Sequence, residues 1–178
     1  DLTSPEGLHT GAVYGFLNIL FRVLEEEKPE YLAVAFDRSE PTFRHQKYPE
    51  YKGTRKPMPE ELKDQLPLLQ EMLAAMGITT ISLAGYEADD LLGTLAKRSE
   101  EKGMDVTVLS GDRDLLQLAS KKTLIRIPKT AKGQTLIESY HEDEVLEHYQ
   151  VTPSQIIELK ALMGDSADNI SGIPGVGE

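Results

Sequence analysis

Three short apolar runs in this sequence each lead into carboxylates, and that repetition constrains the fold more than any other feature. The run "EYLAVAFD" closes on Asp37. "ITTISLAG" is followed by Glu87, Asp89 and Asp90, and "DVTVLSG" by Asp112 and Asp114. Helical spacing separates the runs. "TGAVYGFLNILFRVLEEE" reads as a helix ending before Lys28-Pro29. "PEELKDQLPLLQEMLAAMG" reads as a second, with Pro59 near its start, Gly77 as its stop and a kink or restart at Pro67. "EADDLLGTLAKRSEEKG" is a third, ended by Gly103. Strands alternating with helices predict an α/β fold, a mostly parallel central sheet flanked by helices. Parallel strands deliver all three acidic exits to one edge, where open α/β sheets bind ligands.

Beyond the third exit, "DRDLLQLAS" reads as a short helix. "TLIRIP" and "QTLIES" read as a strand pair turned through Ala131-Lys132-Gly133. Two helices follow, at "EDEVLEHYQ" and "TPSQIIELKALMG", and "DSADNISGIPGVGE" is loop chemistry throughout. The expected organisation is a core over 1–140 and a helical region over 141–178.

Each acidic group alone has an ordinary explanation. Acids in the first turn of a helix complement its dipole by about 0.3–1 kcal/mol, and Asp is a common cap or turn residue. Two carboxylates about 4 Å apart, however, cost roughly 4 kcal/mol at an effective dielectric near 20. Acids gathered repeatedly at one sheet edge therefore predict a cation site. All-oxygen ligation selects a hard cation, Mg2+ or Mn2+, and about eight carboxylates, with Asp165 and Asp168 of "GDSADN" counted as a fourth group, point to two or more ions able to clamp a phosphodiester. His9, His45, His141 and His148 lack metal-ligand spacing.

The net charge of -11 argues against a nucleic-acid partner until its distribution is read. Between Arg38 and Pro57, six Lys or Arg face two acids, so that segment is +4 and the remainder -15. Its prolines and scarcity of large aliphatics predict an exposed loop or arch over 38–58. Cations interleaved with Phe43, Tyr48 and Tyr51 suit phosphate contacts and base stacking on single-stranded nucleic acid. The closing "GIPGVGE" is a glycine turn whose backbone N–H groups can hold a phosphate. With no cysteine there is neither a disulfide framework nor a thiolate zinc site, which suits the reducing cytoplasm. No apolar run approaches the eighteen or so residues of a membrane span.

The stretches "AVYGFLNIL", "AFDRSEPTFRHQKYPEYKGTR", "GYEADDLLGTLA", "SGDRDLLQL" and "LKALMGDSADNISGIPGVGE" occur here in the order seen in bacterial 5'-3' exonucleases. From about Leu8 onward the sequence resembles the N-terminal 5'-nuclease domains of bacterial DNA polymerases I, members of the flap-endonuclease-like superfamily. The resemblance implies a PIN-like fold and magnesium-dependent phosphodiester hydrolysis at DNA 5' ends, flaps and nicks, in replication and repair. Matched motif by motif, Asp37, Glu87, Asp89 and Asp90 fall on the first metal cluster, and Asp112, Asp114, Asp165 and Asp168 on the second. Lys52 matches the lysine that contacts the scissile phosphate, Tyr51 a neighbouring aromatic, and Arg44 and Arg55 basic arch residues; Lys52, Asp37 and Asp112 are the expected catalytic residues. "GIPGVG", with Gly172, Gly175 and Gly177, resembles the start of a helix-hairpin-helix that grips duplex DNA through K+.

The resemblance also implies parts outside this sequence. The family's first strand carries a further metal-binding Asp in an Asp-Gly-Asn setting that Asp1 does not match, and half of the helix-hairpin-helix is lacking. Weak or no activity is therefore expected of this stretch alone, with a polymerase domain following in a longer protein. Two other readings stay open. "VLSGDRDLL" superficially resembles the strand-Asp-x-Asp of haloacid-dehalogenase-like phosphatases, whose first Asp is a nucleophile. A catalytically incomplete module that binds branched DNA is the other.

Overall fold

The computed structural model describes residues 2–131 and 134–177. Its contacts divide the chain into two interleaved units, 1–36 with 56–82, and 37–55 with 83–178.

In the first unit, α1 (Gly11–Glu27) presents Val13 and Leu20 to Leu69 and Leu73 of α4 (Gln65–Ala75). Lys28 ends α1 in the left-handed conformation, its N–H reaching Leu24 O at 2.9 Å, and Pro29 cannot continue the helix. The restart expected near Pro67 is present. A single turn, α3 (Glu60–Lys63), gives way at Asp64 to α4, so Pro67 lies in the first turn of α4, where its missing N–H has no intrahelical partner to lose. Gln65 Oε1 accepts the Ala12 N–H at 2.8 Å and so satisfies an open donor at the start of α1. The strands β1 (Ala33–Ala35) and β2 (Thr79–Ile81) pair in parallel.

In the second unit, α5 (Ala88–Glu101) precedes β3 (Val106–Leu109), which pairs in parallel with β4 (Thr123–Ala131). A 3-10 turn over Arg113–Leu118 joins them. The expected strand pair exists as β4 and antiparallel β5 (Gln134–Tyr140), although Lys132 and Gly133 of its turn lie outside the described residues. The pairing is parallel at β1–β2 in the first unit and at β3–β4 in the second, the two ladders being separate among the described residues.

The helices α6 (Glu142–Tyr149) and α7 (Gln155–Met163) bury Val145 and Ile156 in the same cluster as Leu115, Leu116, Ile125 and Ile127. Shared burial places these helices in the core of the second unit. Two segments are more ordered than an extended loop. The basic stretch contains α2 (Phe43–Lys47) and buries Thr42 and Tyr51. The C-terminal stretch forms a short antiparallel pair, β6 (Gly164–Asp165) with β7 (Ile170–Ser171). A Cβ on Gly172 would collide with the Met163 carbonyl, so glycine there permits two backbones to touch.

Candidate active site: an acidic cavity braced by basic side chains

The second unit contains an open cavity of about 730 Å³. Glu87, Asp89, Asp90, Asp112, Asp114, Asp165 and Asp168 line it, together with Arg44, Tyr51, Lys52 and Lys160. Seven of the eight expected metal ligands thus share one cavity. Asp37 does not line it, and its Oδ1 instead accepts the Ala88 N–H at 2.7 Å, at the start of α5. That contact pins the first acidic exit to the second.

Local chemistry explains the first cluster. Glu87 is extended ahead of α5, and Asp90 reaches back to its N–H at 2.9 Å. The ordinary helix-start explanation therefore holds for part of "EADD". Arg44 of α2 grips both oxygens of Asp90 at 2.7 and 2.8 Å, a bidentate pair that holds the Asp90 carboxyl below the usual carboxylate range. Glu87 receives the Lys52 ammonium at 2.9 Å and the Tyr51 hydroxyl at 3.1 Å. Tyr51 is 6% exposed, so the ring expected to stack on bases is enclosed here, and its hydroxyl serves a carboxylate instead. Burial, then the Asp168 and Glu87 carboxylates, pushes that phenol well above its ordinary range.

Asp89 takes no hydrogen bond from a described residue. Burial, then the charges of Asp112, Asp37 and Glu87, pushes its carboxyl up to about 6. One group thus registers acids from all three strand exits.

The second cluster is braced by a residue that the sequence reading missed. Lys160 of α7 places its ammonium 3.0 Å from Asp114 Oδ1 and 2.7 Å from Asp165 Oδ2. Burial opposes the Lys160 charge, but the two carboxylates outweigh it and hold its pKa at about 12. The available signal was Lys160 five residues before Asp165 in "LKALMGD", on a helix whose register places it over the acids. The other oxygen of Asp165 accepts the Ala167 and Asp168 N–H groups at 2.9 and 3.1 Å. Asp112 Oδ1 similarly accepts the Asp114 N–H at 2.8 Å. Arg55, expected on DNA phosphates, pairs with Asp168 and donates from Nε to Ala167 O at 3.0 Å.

Among the described residues no three acids or histidines already surround one point in ligating geometry. Basic side chains hold the carboxylates where a cation was expected. Of the glycines expected at a phosphate, Gly172 is enclosed by backbone, whereas Gly175 (φ +82°) forms a turn closed by Val176 N–H to Ile173 O at 3.0 Å. Gly177 faces open space.

The sequence profile of the "5'-3' exonuclease, N-terminal resolvase-like domain" family matches residues 1–150. The chain belongs to this family of 5'-3' exonuclease domains. It is 52% identical over 177 residues to DNA polymerase I of Bacillus subtilis, covering 99% of this chain and 20% of that protein. It is 47% identical over 172 residues to DNA polymerase I of Streptococcus pneumoniae, covering 97% and 19%. The exonuclease domain thus spans about a fifth of the length of the curated relatives it matches.

Among solved structures, it resembles a bacteriophage T5 5'-exonuclease bound to divalent zinc, with a TM-score of 0.75 and 26% identity over 93% of this chain and 63% of that one. A bacteriophage T5 flap endonuclease in a pseudo-enzyme-product complex with DNA and metal ions gives 0.74 and 26%, over 93% and 62%. These neighbours share the PIN-like α/β fold expected from the sequence. Family membership also decides against the haloacid-dehalogenase-like alternative.

Proposed function

We propose that this exonuclease domain is a divalent-metal-dependent 5' nuclease, using Mg2+ or Mn2+ to hydrolyse DNA phosphodiesters at free 5' ends, nicks and 5' flaps. The observation that carries the reading is the meeting of acids from three strand exits beside Lys52, in a chain of this family. The metal ions and DNA described for the phage relatives support it. So does the donor set, which is carboxylate oxygen throughout. The raised Asp89 pKa marks negative charge that a cation would relieve.

Asp37, Glu87, Asp89 and Asp90 would hold one ion, and Asp112, Asp114, Asp165 and Asp168 the other. Ions so held polarise a phosphate and lower the pKa of water. The chain's own residues do the rest. Lys52 exchanges Glu87 for a phosphoryl oxygen and stabilises the charge that grows there as a water oxygen bonds to phosphorus. The bridging P–O bond breaks, and the departing sugar oxygen keeps the electron pair and takes a proton, both fragments together gaining one water. Tyr51 keeps Glu87 oriented meanwhile. Arg44 and Arg55 contact backbone phosphates, and the Gly175 turn begins a K+-assisted grip on the duplex. The name DNA polymerase I and the one-fifth coverage of the bacterial relatives support a polymerase domain joined to this one in a longer protein.

Incubation of a 5'-flap duplex with Mg2+ and the longer protein expected to contain this domain, its first strand included, tests the reading. Release of the flap, abolished by EDTA and by Asp112→Ala, is expected; cleavage that survives Asp112→Ala would sink it.

A further inference from the structure

Four non-glycine residues among those described have a left-handed backbone: Lys28, Lys52, Gln150 and Asn169. Lys28 and Gln150 end helices, where that conformation is usual. Lys52 (φ 56°) and Asn169 (φ 60°) do not, and such outliers persist only where surroundings enforce them. The two are fastened to each other's segments. The Asn169 carboxamide donates from Nδ2 to Glu50 O at 2.9 Å, and Asn169 O accepts the Tyr48 hydroxyl at 3.0 Å. The Lys52 N–H donates to Asp168 O at 3.0 Å. One turn, with Lys52 at its tip, is thereby latched to the loop that carries Asp165 and Asp168.

We infer that Asn169 is a positioning residue for Lys52: its carboxamide and left-handed backbone clasp the 48–55 turn to the 165–169 loop and set where the ammonium stands beside the acids. Asparagine suits the post because it adopts the left-handed conformation more readily than other residues with a side chain while supplying a donor. The ammonium at the far end of Lys52 meets Glu87 at 2.9 Å, so a shift of the turn moves the cation relative to both acid clusters. Arg55 alone cannot replace the clasp, because it binds three residues beyond Lys52.

The inference rests on the nuclease reading, and two measurements separate the two. Hydrogen exchange is followed over 48–55 in Asn169→Ala and Asn169→Gly, and flap cleavage is measured in parallel. In Asn169→Ala, exchange should quicken at 48–55 but not in α5 or β3–β5. Its kcat should fall about 10- to 100-fold while KM for DNA changes by less than about threefold. Asn169→Gly, which keeps the left-handed backbone, should recover part of both. Unchanged exchange, faster exchange with unchanged kcat, or uniform loosening of the whole unit would overturn the inference. If Asn169→Ala does not fold, Asn169→Gly decides by the same two readouts. Both measurements use the longer protein that carries this domain; if it fails to cleave without any substitution, the nuclease reading falls and exchange alone decides the clasp.

Discussion

The Lys52 ammonium stands 2.9 Å from Glu87 Oε1, a lysine expected on substrate held instead by a carboxylate expected on metal. Under the proposed function this pair has to open before Lys52 can reach a phosphate. Lys52→Ala should lower flap cleavage by about 10²- to 10³-fold, the scale for removing one charge-stabilising donor. DNA affinity, measured by anisotropy without metal, should change little. A large affinity loss with intact turnover would contradict the assignment.

Lys160 bridges Asp114 and Asp165 as a resident cation. Lys160→Met should destabilise the protein in EDTA by about 1 kcal/mol, a modest figure because the side chain is partly exposed. Saturating Mg2+ should narrow the deficit by supplying the missing charge. Thermal melts with and without Mg2+ check this, and an equal deficit in both contradicts it.

Asp89 titrates near 6, above its ordinary value near 3.8, because burial and neighbouring acids penalise its charge. A raised acid pKa favours the protonated fold, so its contribution to metal-free stability is fully present below about 3.8. It is lost progressively up to about 6 and stays lost above. Asp89→Asn should therefore raise Tm in EDTA near pH 8 and leave it unchanged near pH 3.5. After discounting for partial exposure, the gain is on the order of 1 kcal/mol. The same substitution should abolish cleavage, stability and function pulling apart at one atom.

The glycine turn separates two roles. Gly172→Ala drives a Cβ into the Met163 carbonyl and should cost about 1–3 kcal/mol in urea unfolding. Gly175→Ala (φ +82°) should cost about 1–2 kcal/mol, and Gly177→Ala, in open space, almost nothing. Loss of duplex affinity without loss of stability in Gly172→Ala would assign that glycine to DNA instead.

Much of this protein was legible in one dimension. Apolar runs and helical spacing mark the longer helices and the strands β1–β5, because burial demands a period of 2 or 3.6 whatever the neighbours are, whereas α2, β6 and β7 read as loop. The acids after "AVAFD", "ITTISLAG" and "DVTVLSG" mark the site because strand ends have a fixed direction, and the motif order specifies the family. Which partner each charged group takes was not legible. Arg44, Tyr51, Lys52 and Arg55 read as ligands for a polyanion, yet they hold Asp90, Glu87 and Asp168 across up to 113 residues of chain. Lys160 carried no sequence signal beyond proximity to "GDSADN", and Asn169 none beyond closing it. Ion pairs depend on distances of a few ångströms, so a one-turn change in α7 would take Lys160 from Asp114 and Asp165. The sequence determined that these acids would gather; only the tertiary structure decided which basic side chains hold them together, because that choice is made at distances of a few ångströms.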